Sequence, residues 1–168
     1  MTTLPDIGTL LGEMASALGG LLSRRGIDDP AMIGIHTGGL WVAKRLHEVL
    51  HLQTPLGALD ISFYRDDFSR VGVQPTVRSS RLPFDVDDRT ILLVDDVLYT
   101  GRTIRAALNE IFDYGRPAAV LLIVLVDRGG RELPIAADVA GCRLDLPTGR
   151  QIKLHGPEPL VLRLQQAP

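Results

Sequence analysis

Apolar residues recur along this chain with two periods, and the switching between them lays out an architecture. Over residues 7–24, Ile7, Leu10, Leu11, Met14, Leu18, Leu21 and Leu22 fall at helical spacing. Asp6 offers an N-cap, and Gly26 a stop after Arg24 and Arg25. Residues 31–35 are a short apolar run that reads as a first core strand. It passes through His36-Thr37-Gly38-Gly39 into a helix over residues 40–46. Residues 56–65 predict the next strand. Four apolar residues, 91–94, predict a strand buried on both faces, and a helix opens at Ile104 and stops near Gly115. Residues 118–126 are the most hydrophobic stretch and read as a central strand. Strands alternating with helices imply an α/β domain with a parallel sheet, whose ligand-facing loops gather at the strands' carboxyl ends.

Two segments break the rhythm. Residues 66–83 carry arginines, serines and prolines without hydrophobic period. A connection of that length is usually functional, often a lid, the plainer alternative being a surface loop. Arg65, Arg70, Arg78 and Arg81 decorate it. The tail from residue 135 onward alternates short apolar stretches with turns, which predicts a small hood of extra strands over the site.

Composition narrows the class. A chain of 168 residues, 45% hydrophobic and 23% charged, fits one soluble domain with a sizeable core. No apolar run is long enough to span a membrane, and the N-terminus lacks the basic-then-apolar pattern of a secretion signal. The single cysteine, Cys142, rules out an internal disulfide, so the cytoplasm is the expected location. A formal net charge of −2 does not advertise a nucleic-acid surface.

The chemistry concentrates in Ile91-Leu92-Leu93-Val94-Asp95-Asp96-Val97-Leu98-Tyr99-Thr100-Gly101-Arg102-Thr103. A loop between strand and helix offers backbone N–H groups, a helix N-terminus and the hydroxyls of Thr100 and Thr103, which together suit a phosphate. Gly101 lets the backbone approach closely. Asp95 and Asp96 are poor phosphate partners, but they accept hydrogen bonds from sugar hydroxyls and can hold a magnesium ion bridging sugar and phosphate. A ligand with both a phosphate and a diol fits best. A Walker B strand also ends in acids, but the chain has no GxxxxGK[ST] loop. A receiver domain carries its acid pair nearer the N-terminus. His47-Glu48-Val49-Leu50-His51 matches the zincin pattern HExxH. It falls at a helix end, no third ligand stands at zincin spacing, and a surface helix with two histidines is the preferred reading.

The run ILLVDDVLYTGRT resembles the phosphoribosyl pyrophosphate (PRPP) signature of type I phosphoribosyltransferases. The chain is similar to the PyrR-type branch, pyrimidine operon attenuators and uracil phosphoribosyltransferases. Gly34-Ile35-His36-Thr37-Gly38-Gly39, the segment 59–67 and Val124-Leu125-Val126-Asp127-Arg128-Gly129-Gly130-Arg131-Glu132-Leu133-Pro134-Ile135 support the match. The resemblance implies the type I phosphoribosyltransferase fold: a parallel twisted sheet flanked by helices, with a flexible loop near 66–83 and a hood from about 135–168 with the N-terminus. It implies PRPP binding by Thr37, Gly38, Asp95, Asp96, Val97, Leu98, Tyr99, Thr100, Gly101, Arg102 and Thr103. Asp95 and Asp96 would hold the ribose diol and, through its hydroxyls or water, Mg²⁺. Arg65 and Arg78 would act on pyrophosphate, and Val126, Asp127 and Arg128 would meet the base. Many relatives carry a basic residue where Gly38 stands and a histidine where Gly130 stands; Lys44 and Arg45 are candidate substitutes near the first.

The implied reaction joins uracil to PRPP, giving UMP and pyrophosphate. The implied second role is regulation of a pyrimidine operon through its mRNA leader, with UMP or UTP as effector. Arg24, Arg25, Arg128, Arg131, Arg143, Arg150 and Lys153 are candidate RNA contacts. A sensor without turnover, or an enzyme for another base, stays open. A homodimer or higher homo-oligomer is implied, with Trp41 and the N-terminal helix as candidate contacts.

Overall fold

The computed structural model describes residues 3–62 and 80–168. Helix α1 (Ile7–Arg24) is followed by β1 (Ala31–Ile35), α2 (Gly38–Val49), β2 (Gly57–Leu59), β3 (Thr90–Leu98), α3 (Arg102–Tyr114) and β4 (Ala119–Asp127). Then come β5 (Val139–Arg143), β6 (Arg150–His155) and β7 (Val161–Gln166). The first five strands form a sheet in the order β2-β1-β3-β4-β5, every neighbouring pair parallel. Strands β6 and β7 form a separate antiparallel ribbon.

Side-chain alternation along β3 sends Leu92 and Val94 to one face and Ile91 and Leu93 to the other. Each face carries its own core. On the first, α1 and α2 bury Leu10, Met14, Leu18, Val42 and Leu46, and the ribbon adds Ile152, Leu154 and Leu162. On the second, α3 buries Ile104, Ala107 and Ile111 against Leu122 and Val124. This two-sided cover explains why the strands are apolar runs rather than alternating ones.

Packing, not propensity, holds α1. Gly12, Gly19 and Gly20 each cost about 1 kcal/mol relative to alanine in a helix interior. Burial of each large side chain among Leu10, Met14, Leu18 and Leu22 contributes roughly 1.5–3 kcal/mol, which outweighs that cost. The Asp6 carboxylate accepts from the Thr9 N–H at 2.9 Å and closes the helix start as expected.

Three expectations need revising. The strand expected over residues 56–65 pairs only as β2, and residues 60–62 already lie outside it. Residues 139–143 were expected in the hood, yet they extend the main sheet as β5. Asp138 is the reason: it donates its N–H to the Leu122 carbonyl at 2.8 Å and accepts the Leu122 N–H at 2.8 Å, aligning Val139 with Ile123. The signature strand is also longer than residues 91–94. It continues through Leu98 because β4 keeps pairing with it, Asp95 opposite Val124 and Leu98 opposite Asp127.

Candidate active site

On its other side, β3 loses its neighbour: pairing with β1 stops at Gly34 opposite Val94. Asp95 and Asp96 therefore stand where β1 has turned into its loop. Asp95 is 5% exposed and its Oδ1 accepts the Asp96 N–H at 2.9 Å; Asp96 is half-buried and its Oδ1 accepts the Val97 N–H at 2.9 Å. Both carboxylates keep further acceptor capacity.

The loop after β1 lies directly against them. A methyl group placed on Gly38 would sit 2.3 Å from Asp96 Oδ2, and one on Gly39 would sit 2.7 Å from the Val94 carbonyl oxygen. Only residues without a side chain let the first turn of α2 press onto the acid pair. This gives a local reason for Gly38: a longer residue there must displace the Asp96 carboxylate. The helix start carries positive partial charge, which favours acids beside it.

After β3, Gly101 adopts the left-handed conformation at φ +94° and N-caps α3. Thr100 Oγ1 accepts the Arg102 N–H at 3.2 Å. Thr103 is half-buried on the first turn. This loop is laced to the one after β4. Arg128 N–H donates to the Leu98 carbonyl at 3.0 Å, and the N–H groups of Glu132 and Leu133 both donate to the Thr100 carbonyl, at 2.9 and 3.1 Å. Arg102 Nε donates to Glu132 at 2.9 Å. The Arg128 guanidinium stacks on the Tyr99 ring, 3.8 Å from its centroid, and donates to the Arg150 carbonyl at 3.1 Å.

Arg131 reaches furthest. Its guanidinium donates to the Tyr99 carbonyl at 2.7 Å, to the Ile135 carbonyl at 3.0 Å and to Asp127 Oδ1 at 2.6 Å. Burial pushes the Asp127 carboxyl up, but the Arg131 bond, the Gly129 N–H and the charges of Arg131 and Arg143 outweigh it and hold it below the usual range.

A second polar cluster lies beside the sheet at the ends of the undescribed segment. Ser62 donates both N–H and hydroxyl to Asp60 Oδ1, the Asp60 N–H donates to Ser80 Oγ at 3.0 Å, and the Ser80 hydroxyl donates to Glu110 on α3. Burial raises the Glu110 pKa; the Ser80 bond lowers it, while Asp60 and Asp113 raise it further.

The structure thus brings together Thr37, Gly38, Asp95, Asp96 and the run from Val97 to Thr103 at the carboxyl ends of the strands, with Asp127 and Arg128 beside them. Val126 differs: its side chain is fully buried in the core beneath α1, so only its backbone can meet a ligand. Arg65, Arg70 and Arg78 lie outside the described residues. Arg81 is described, and its backbone pairs with Ala58 through two 2.8 Å bonds. Arg45 is ion-paired to Glu158 across a groove shared with Trp41 and Lys44, so it serves the ribbon's turn rather than the loop after β1. Trp41 likewise packs within the chain, against Gly156. Of the candidate RNA contacts, Arg128 and Arg131 make these internal bonds.

The HExxH match dissolves. Helix α2 ends at Val49, His51 has φ +50°, and His47 Nε2 lies 2.8 Å from the Thr54 carbonyl oxygen. Among the described residues no three His, Cys, Asp or Glu side chains gather to hold a metal. Sequence reasoning missed the bracing by Arg131 and Glu132, and the Asp60–Ser80–Glu110 chain. Neither has a periodic signal; the nearest clue was a charged pair directly after Gly129-Gly130.

Comparison with known proteins agrees with this fold. Residues 5–152 match the phosphoribosyl transferase domain. The chain is 55% identical to the bifunctional protein PyrR of Pseudomonas syringae pv. tomato, over 97% of this chain and 96% of that one. It is 57% identical to the bifunctional protein PyrR of Nitrosococcus oceani, over 95% and 92%. Among solved structures, a hypoxanthine-guanine phosphoribosyltransferase from Bacillus anthracis superposes with a TM-score of 0.69 at 15% identity, covering 86% of this chain and 85% of that one. The hypoxanthine phosphoribosyltransferase of Trypanosoma cruzi gives 0.63 at 20% identity, covering 85% and 78%.

Proposed function

Because the chain belongs to the phosphoribosyltransferase family, in the branch of the bifunctional PyrR proteins, we propose that it transfers the phosphoribosyl group of PRPP to uracil, releasing pyrophosphate and forming UMP. The observation that carries this reading is the convergence of three loops, after β1, β3 and β4, around an acid pair beside a helix N-terminus. Attack of a ring nitrogen on the anomeric carbon passes through a cation-like transition state, related in charge to glycoside cleavage. Such a step needs the ribose fixed, the departing charge neutralised and water excluded.

In this reading Asp95 and Asp96 accept the ribose hydroxyls. The loop from Thr100 to Thr103 takes the 5′-phosphate, and the glycine loop from Thr37 faces pyrophosphate. Asp127 and Arg128 border the base, whose recognition rests on backbone groups beside them. The donor set suits Mg²⁺, which is usually held by one or two carboxylates with substrate oxygens and water rather than by a protein cage. Asp95 and Asp96 would hold it through ribose hydroxyls or water, where it would neutralise charge on the leaving pyrophosphate. A homodimer or higher homo-oligomer accompanies this proposal.

The assay is the full chain with PRPP, Mg²⁺ and a panel of free bases, following pyrophosphate release. Uracil should support turnover. D95N/D96N should retain the fold by circular dichroism and lose kcat/KM by roughly a hundredfold or more, the scale of a lost charge-stabilising contact. Full activity of that variant would end the ribose assignment, and turnover with a purine alone would reassign the base.

The name shared by the relatives, bifunctional, favours a second activity: binding of a pyrimidine operon leader RNA, tuned by UMP or UTP. Filter binding across a salt series tests it. A leader-specific affinity that weakens linearly with log salt is expected; identical binding of an unrelated RNA would remove the regulatory role.

A further inference from the structure

We infer that Arg131 is a positioning residue that fixes which way the phosphate loop's amides point. The inference rests on the reading above that this loop takes the 5′-phosphate. Arg131 holds the Tyr99 carbonyl at 2.7 Å, while the N–H groups of Glu132 and Leu133 hold the next carbonyl, Thr100, at 2.9 and 3.1 Å. Two successive carbonyls are thereby turned toward the 131–133 segment. Both following peptide bonds are trans, and a planar trans peptide sets its N–H opposite its carbonyl. The N–H groups of Thr100 and Gly101 are therefore directed away from that segment.

The consequence is electrostatic. A peptide can swing about the two soft dihedrals that flank it, and a swing of the Tyr99–Thr100 unit would replace a donor by a carbonyl oxygen. An anion facing the loop would then meet a negative partial charge in place of a hydrogen bond. Arg131 opposes that swing with a fork fixed at three points, Tyr99, Asp127 and Ile135, its side chain 24% exposed. A planar guanidinium can span those three acceptors at once; an ammonium cannot reproduce the fork. Arg131 need touch no substrate atom to do this.

The competing account is that Arg131 merely neutralises buried Asp127. Calorimetric titration of the full-length wild type, R131K and R131Q with ribose 5-phosphate, and separately with magnesium pyrophosphate, distinguishes the two, alongside thermal unfolding. Ribose 5-phosphate affinity should fall roughly tenfold in R131K, which keeps a cation beside Asp127, and at least as far in R131Q. Pyrophosphate affinity should stay at the wild-type value in both. Wild-type affinity for ribose 5-phosphate in R131K would overturn the proposal, because charge alone would then suffice. Parallel loss of both ligands with a lowered Tm would overturn it too, and so would failure of R131K to fold. If R131Q alone fails to fold, R131K decides. Failure of the wild type to bind ribose 5-phosphate would instead sink the phosphoribosyl reading, a separately visible result.

Discussion

Gly130 shows how much one missing side chain can arrange. Its φ is +75°, and a methyl group there would lie 2.4 Å from Tyr99 Cε2. The residue therefore satisfies a left-handed backbone and leaves room for the ring on which Arg128 stacks. G130A should lower stability by about 1–2 kcal/mol, the usual cost of a left-handed L-residue, read as a shifted denaturant midpoint; an unchanged midpoint would contradict the crowding. A histidine at this position would require Tyr99 to stand elsewhere. Glu110 makes a different prediction. Burial raises its folded pKa above the ordinary 4.5, so the folded chain keeps a proton that the unfolded chain has released. Stability conferred by that proton is present below the unfolded pKa and is lost as pH rises through the folded one. E110Q, which keeps an acceptor for Ser80, should gain Tm relative to wild type as pH rises from about 4 to 7. Parallel Tm–pH curves for the two proteins would refute the shift.

Among elements, the start of α2 and the end of β3 are mutually dependent. A methyl group on Gly39 would meet the Val94 carbonyl oxygen at 2.7 Å and the Asp95 Cα at 2.9 Å, both backbone atoms that cannot swing aside. G39A should lift the helix from the acid pair and cut kcat/KM at least tenfold, in steady-state assays, with a smaller effect on Tm; wild-type turnover would show that this approach is not needed. Much of the site was legible in the sequence because its parts are local: acids at a strand end, then hydroxyls, glycine and a helix start, all within residues 95–103. What was not legible depends on adjacency across the sheet. The long β3 arises because β4 continues beside it, β5 joins the sheet through Asp138, and Arg131 acts on a carbonyl 32 residues earlier in the chain. Periodicity carries no trace of such pairings, since each is decided by which loops meet, not by spacing along one element.

At the scale of the whole molecule, the ribbon is bound into the same core as α1 and α2, through Ile152, Leu154 and Leu162. The parallel order β2-β1-β3-β4-β5 has a similar effect: the three loops of the site belong to the inner strands β1, β3 and β4, far apart in sequence and adjacent in space. None can be assembled without its neighbours, so loss of the sheet and loss of the site should be one cooperative event. The chain carries one tryptophan, Trp41, and it lies where α2 meets the turn between β6 and β7, in contact range of Gly156. A single indole probe thus sits at the seam between the ribbon and α2. Its emission should redden when that seam opens, and in a urea titration the colour change should coincide with the fall in ellipticity; an earlier reddening would mean that the ribbon peels off first.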